Sequence, residues 1–159
     1  MAKVFLMCGS ICSGKSTYAE TLRKRHGAVL LSVDEIMLSL FGQDAGESHD
    51  MYVERAESLL YKKSLEITDR GINVILDMGF LTRAERDRAR EFYGSRGIPY
   101  EFHYMDISDE LRHERIQKRN ADVLAGKADC YYVDDALEAK FAAIFEKPDR
   151  NEPNMIWKC

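Results

Sequence analysis

Short apolar runs alternate with longer stretches in which apolar residues recur at helical spacing. Lys3-Val4-Phe5-Leu6-Met7-Cys8, Ala28-Val29-Leu30-Leu31-Ser32, Ile72-Asn73-Val74-Ile75-Leu76-Asp77 and Tyr100-Glu101-Phe102-His103-Tyr104-Met105 read as strands, with Met155-Ile156-Trp157 as a short last one. Runs of this length suit buried strands. Helices are expected between them: Ser16 to Arg23, a short one from Asp34 to Phe41, and a long one from His49 to Arg70. The long helix carries Val53, Ala56, Leu60 and Ile67 at spacings of three, four and seven, and Gly71 stops it. Thr82 caps a helix to about Arg96, Ser108 opens one to Arg119, and Asp134 caps one to about Glu146, whose Phe141, Ile144 and Phe145 read as a core-facing stripe. Asn120 to Tyr132 is polar and contains Gly126. Strands alternating with helices in this way predict a three-layer α/β/α domain, a parallel sheet covered on both faces by right-handed crossovers. In such a sheet the site lies at the carboxyl ends of the strands.

One connection carries a specific signature. Gly9-Ser10-Ile11-Cys12-Ser13-Gly14-Lys15-Ser16 fits G-x-x-x-x-G-K-[ST], between the first strand and the first helix, the context a phosphate-binding P-loop requires. Glycines let the backbone wrap closely around phosphate oxygens and aim N–H groups at them, and the helix start adds partial positive charge. Gly9, Ser10, Cys12, Ser13, Gly14, Lys15, Ser16 and Thr17 are the expected nucleotide-binding residues, with Lys15 reaching the β- and γ-phosphates and the Ser16 hydroxyl ligating Mg²⁺.

Two carboxylates stand at strand ends. Asp77 closes the apolar Val74-Ile75-Leu76 run, where a carboxylate holds hydrated Mg²⁺ opposite Ser16. Asp34 follows Ser32-Val33, where it can accept the proton of an acceptor hydroxyl, cap a helix, or do both. Arg112, Arg115 and Arg119 recur at i, i+3 and i+7, an arc of roughly 60° lying between Leu111 and Ile116. Charges flanking an inward face suit arginines that swing over phosphates; Arg115 and Arg119 are the catalytic candidates, on a lid of about residues 112–132 that excludes water. Arg83 and Arg86 have two readings: contact with an anionic acceptor, or pairing on their own helix, Arg83 with Asp87. His26, His49, His103 and His113 show no triad or ligand spacing and read as surface or packing residues.

Composition narrows the class. With 159 residues, 45% hydrophobic and 31% charged, the chain reads as a single globular domain over 1–159. No apolar run approaches the 18 or so residues of a membrane span, and the opening strand flows into the P-loop rather than forming a signal-peptide core. Cys8, Cys12, Cys130 and Cys159 form no C-x-x-C and read as free thiols, so a cytoplasmic location is expected. The net charge of −4 argues against sequence-independent binding to long nucleic acid.

Together these pieces resemble the small P-loop kinases of the AAA_33-type group. That group includes the 5′-hydroxyl polynucleotide kinase domain, with zeta toxin, chloramphenicol phosphotransferase and gluconate kinase as more distant relatives. The likeness spans nearly the whole chain: the P-loop, Ser32-Val33-Asp34, Leu76-Asp77-Met78-Gly79-Phe80-Leu81-Thr82-Arg83-Ala84-Glu85-Arg86, the Arg112–Arg119 helix, and Phe145-Glu146-Lys147-Pro148-Asp149. It implies about five parallel strands in the order 2-3-1-4-5 with a helical lid. It also implies γ-phosphoryl transfer from ATP to a hydroxyl, with Asp34 as base and lid arginines on the phosphates. Polynucleotide kinases typically carry Asp-Thr-Asn at the end of the third strand; Asp77-Met78-Gly79 lacks the Asn side chain. The expectation is therefore an ATP- (or GTP-) and Mg²⁺-dependent kinase acting on a small-molecule hydroxyl. Two rivals stay open: a kinase of 5′-hydroxyl nucleic-acid ends, and a nucleotide-dependent switch or binding module without an acceptor.

Overall fold

A computed structural model describes residues 1–159. The chain runs β1 (Val4–Cys8), α1 (Lys15–His26), β2 (Val29–Ser32), α2 (Val33–Phe41), α3 (His49–Thr68), β3 (Val74–Gly79), α4 (Arg83–Gly94), β4 (Tyr100–Met105), α5 (Asp109–Leu124), α6 (Asp135–Ile144) and β5 (Met155–Lys158). All strands are parallel, in the order β2-β3-β1-β4-β5, as the resemblance implies. Alternate residues of the central strands feed opposite faces. Val4, Leu6, Cys8, Val74, Leu76, Phe102 and Tyr104 pack with residues of α2, α3 and α4, including Met37, Leu60 and Tyr93. Phe5, Met7 and Ile75 face the other way, onto Ala19 and Leu22 of α1. β1 is buried along its whole length, so the loop leaving it starts from a rigid base. No helix is long and apolar enough to cross a membrane.

Side-chain caps start three helices where the sequence places them, Thr82, Ser108 and Asp134 each accepting from a backbone N–H of the first turn, whereas α2 is capped by Ser32, which accepts from the Glu35 amide, and not by Asp34, which lies inside its first turn. At Thr82 the reciprocal Glu85 bond completes a capping box.

Three expectations are corrected. The third strand begins two residues later and runs two further, to Gly79. There the pairing with β1 slips, Met7 opposite Asp77 but Cys8 opposite Gly79, so Met78 is an extra residue; such a bulge re-aims the side chains beside it. The fifth helix continues past Arg119 to Leu124, because Asn120 is satisfied without ending it. Its side chain donates to the Val133 carbonyl at 2.6 Å and accepts from the Val133 amide at 2.8 Å, tying the returning chain to α5. The α6 stripe is not core. No residue of that helix is buried and Ile144 is 38% exposed; only the following Phe145 packs inward, stacked on Tyr104.

Candidate active site

The P-loop leaves β1 at the middle of the sheet and is fastened to the end of β3 by the Gly9 amide, which donates to the Gly79 carbonyl at 3.2 Å. Close approach requires glycine at position 9, and a left-handed backbone requires it at position 14. A Cβ at Gly9 would lie 2.7 Å from Ser13 Oγ, and one at Gly14, whose φ is +94°, would lie 2.9 Å from Nη1 of Arg115. Cys12 also takes positive φ, at 55°. The Lys15 ammonium folds back over the loop, donating to the carbonyls of Gly9 at 2.9 Å and Ser10 at 2.7 Å. Burial pulls it below its ordinary pKa, while Asp77, Cys8 and Asp34 push the other way. Ser13 is fully buried, and its hydroxyl has no hydrogen-bond partner within the protein. A buried polar atom left unpaired is costly. An orphan hydroxyl inside a glycine-built cradle at a helix start fits an anionic group such as a phosphate.

Facing the loop, Ser16 Oγ donates to Asp77 Oδ2 at 3.1 Å, so the two oxygens expected to hold Mg²⁺ are adjacent. Both are hard oxygen donors, the chemistry magnesium requires. Ser32 pairs with Asp77 across β2 and β3, and Asp34 stands just past Ser32 in the first turn of α2. The Asp34 carboxyl lies open to water on one side yet is raised above its ordinary pKa. Desolvation by the surrounding protein is the main cause and the charge of Asp77 the next, against Lys15, Arg119 and His49. One cleft thus gathers two carboxylates with Lys15 and Arg119. Arg115 lies over Gly14, and neither Arg115 nor Arg119 forms an ion pair.

Residues 4–148 match a family model described as an AAA domain, AAA_33. The chain belongs to that family. No curated protein matches its sequence. Among solved structures, AAA_33 residues here superpose on a gluconokinase from Sinorhizobium meliloti 1021, with 17% identity, 98% of this chain and 81% of that one covered, and a TM-score of 0.67. Kti12 of Chaetomium thermophilum in complex with ADP-AlF3 gives 17% identity, coverage of 98% and 88%, and a TM-score of 0.73. A chain of the Pnkp1/Rnl/Hen1 RNA repair complex gives 20% identity and a TM-score of 0.68, over 89% of this chain and 43% of that one. At these identities the likeness establishes the fold, that of the P-loop kinases, for this AAA_33 member.

Not every candidate converges on the cleft. Arg86 is 1% exposed and bidentate on Glu152, Nε and Nη2 each at 2.9 Å, while Nη1 donates to the carbonyls of Phe80 and Leu81. Nothing of its guanidinium is free for an acceptor. It supports the turn after β3 instead, where Phe80 holds a φ of 47°, an outlier for so bulky a residue. Arg83 pairs with Asp87 at 3.0 Å, its own-helix reading, and approaches Glu152. Arg112 pairs with Asp109 at 3.0 Å rather than reaching the loop. Leu111 is 39% exposed, so the inward side of α5 rests on Ile116, which packs with Cys12 and Val133. Sequence reasoning missed His49 and Tyr131, whose ring centroids lie 6.4 Å apart and which are near enough to Asp34 to interact with its charge. A histidine at a helix start and a tyrosine in a polar loop carry no spacing signal; only the fold brings them together.

Proposed function

We propose that the protein is an ATP- and Mg²⁺-dependent kinase that transfers the γ-phosphoryl group to a hydroxyl of a small molecule. The observation that carries this reading is the convergence on one cleft of the P-loop, the Ser16–Asp77 pair and Asp34, with two unpaired arginines above. The loop amides and Lys15 hold the phosphates, Lys15 exchanging its two carbonyl bonds for phosphate oxygens. Ser16 and Asp77 hold the metal, which when bound neutralises charge on the phosphate oxygens. Asp34 accepts the proton of the acceptor hydroxyl and aims its oxygen. Its raised pKa brings it nearer the operating pH, which favours a general base. Arg115 and Arg119 stabilise charge on the transferring group.

A kinase of nucleic-acid ends would need cations free to hold phosphates beside the acceptor, and Arg83, Arg86 and Arg90 are all paired with carboxylates. This favours a small acceptor. The test is transfer of labelled γ-phosphate, with Mg²⁺, to panels of sugars, nucleosides, antibiotics and 5′-hydroxyl oligonucleotides, with Asp34→Asn beside the wild type. Transfer to a small hydroxyl compound, reduced roughly 10²–10⁴-fold in Asp34→Asn, is expected. Transfer only to oligonucleotide ends would overturn the acceptor class. Bound ATP that is hydrolysed at equal rates by both proteins, with no transfer, would make the protein a switch.

A further inference from the structure

Gln43 lies in the turn between α2 and α3, and its side chain grips the segment that returns from the lid. Nε2 donates to the Cys130 carbonyl at 2.8 Å, and Oε1 accepts from the Tyr132 amide at 2.9 Å. A primary amide offers one donor edge and one acceptor edge, so here it does for a loop what a neighbouring strand does for a strand. Both gripped groups flank Tyr131, so the bonds fix the direction in which that residue points. It points inward. Tyr131 packs on the core cluster that contains Val33 and Met37 of α2, and its ring meets His49 edge-on at 76°. Burial raises its phenol, and Asp34 is near enough for its charge to add to that rise. Neither Tyr131 nor His49 bonds to a P-loop group.

We propose that Gln43 is a positioning residue that holds Tyr131 beside Asp34, and that Tyr131 with His49 forms the wall receiving an uncharged, polyhydroxy acceptor. The acceptor class rests on the kinase reading above; the grip of Gln43 does not. A phenol and an imidazole each offer a flat face and a polar atom, which suits a ring or chain bearing several hydroxyls. The fixed cations that act on Asp34, Lys15 and Arg119, are those assigned to the phosphates.

The experiment compares wild type, Gln43→Ala, Gln43→Glu and Tyr131→Ala in three measurements: alkylation of Cys130 by N-ethylmaleimide followed by peptide mass, ATP hydrolysis without added acceptor, and thermal melting. Loss of two hydrogen bonds should speed Cys130 alkylation roughly tenfold in Gln43→Ala. Gln43→Glu should fall between, since its carboxylate still accepts from Tyr132 but cannot donate to Cys130. Gln43→Ala and Tyr131→Ala should both raise ATP hydrolysis several-fold at unchanged KM for ATP, because loosening the wall opens a further side of Asp34 to water. Melting should move little, since Gln43 is exposed. Unchanged alkylation in Gln43→Ala overturns the grip, and hydrolysis unchanged in both alanine variants overturns the wall. If the wild type neither hydrolyses ATP nor transfers its phosphate, the kinase reading fails and the wall with it, while Cys130 still decides the grip.

Discussion

Two helices carry arginines at the same spacing, i, i+3 and i+7: Arg83, Arg86 and Arg90 on α4, and Arg112, Arg115 and Arg119 on α5. On α4 the row is consumed by the fold. Arg86 and Arg90 close on Glu152, whose side chain is 1% exposed, and Arg90 also lies over the Phe102 ring at 4.8 Å. On α5 only Arg112 finds a carboxylate, and Arg115 and Arg119 remain unpaired beside the P-loop and Asp34. Spacing along a helix therefore does not distinguish a structural arginine from one available to a ligand. The difference is two carboxylates: Asp87 on the helix itself, which pairs with Arg83 and Arg90, and Glu152, delivered from 62 to 66 residues away onto Arg90 and Arg86.

The comparison breaks most sharply when one arginine is removed from each row. Arg86→Ala strips the buried Glu152 of its bidentate partner and leaves Arg90 as its nearest cation, and breaking a buried pair in this way costs about 3 kcal/mol. Thermal melting should show a fall of about 10 °C. Arg119→Ala should leave melting nearly unchanged while γ-phosphoryl transfer falls roughly 10³-fold, as for other arginines that stabilise a transferring phosphoryl group. The reverse pattern, an unstable Arg119→Ala and a stable, inactive Arg86→Ala, would exchange the roles assigned to the two helices.

Acid sharpens the same contrast. Burial alone would raise the Glu152 carboxyl, but bonds from Arg86 and Arg90 overcome it and hold the pKa at about 2, against 4.5 for the free group. A carboxylate depressed by folding contributes stability that is present above its unfolded pKa and lost as pH falls through the folded one. Denaturant midpoints should therefore fall between pH 4.5 and pH 2, by on the order of 3 kcal/mol from this group. Glu152→Gln should be less stable at pH 7 and lose much of that slope. An identical slope in the variant would place the acid sensitivity elsewhere.

The same physics marks where the sequence was legible. The strands and the P-loop were readable because local rules decide them: apolar runs of strand length, capping residues such as Thr82, and glycines where the backbone must pass close to a neighbour, whereas the strand order came from the family resemblance. The places of Asp77, in β3 opposite the last residue of β2, and of Asp34, just past the end of β2, were readable because a carboxylate at or just after the end of a strand of a parallel sheet lies at the carboxyl edge. Arg86, Gln43, Tyr131 and His49 were not. Each takes its meaning from a partner far along the chain: Glu152 for Arg86, the Cys130–Tyr132 backbone for Gln43, and Asp34 for the two rings. The α6 stripe misled for the converse reason, since helical periodicity shows that residues share a face but not what lies against it.

The smallest effect tests whether the cleft carries the cost that the α4 cluster avoids. Glu152 is stabilised as an anion, whereas Asp34 is raised, mainly by desolvation and then by Asp77, so its charged form is disfavoured in the folded protein. The sign is opposite: a carboxyl raised by folding favours the native state when protonated and loses that contribution as pH rises through its folded pKa. Without nucleotide or magnesium, Asp34→Asn should then be more stable than the wild type at pH 7, by about 1 kcal/mol, the usual size of gain when a site residue is relieved. Water on the open side of the carboxyl screens the effect and keeps it that small. At pH 3 the wild-type carboxyl is itself largely neutral, and the two melting curves should draw together. An Asp34→Asn protein less stable than the wild type at pH 7 would mean that Asp34 serves mainly to start α2, with the helix losing more than the cleft gains.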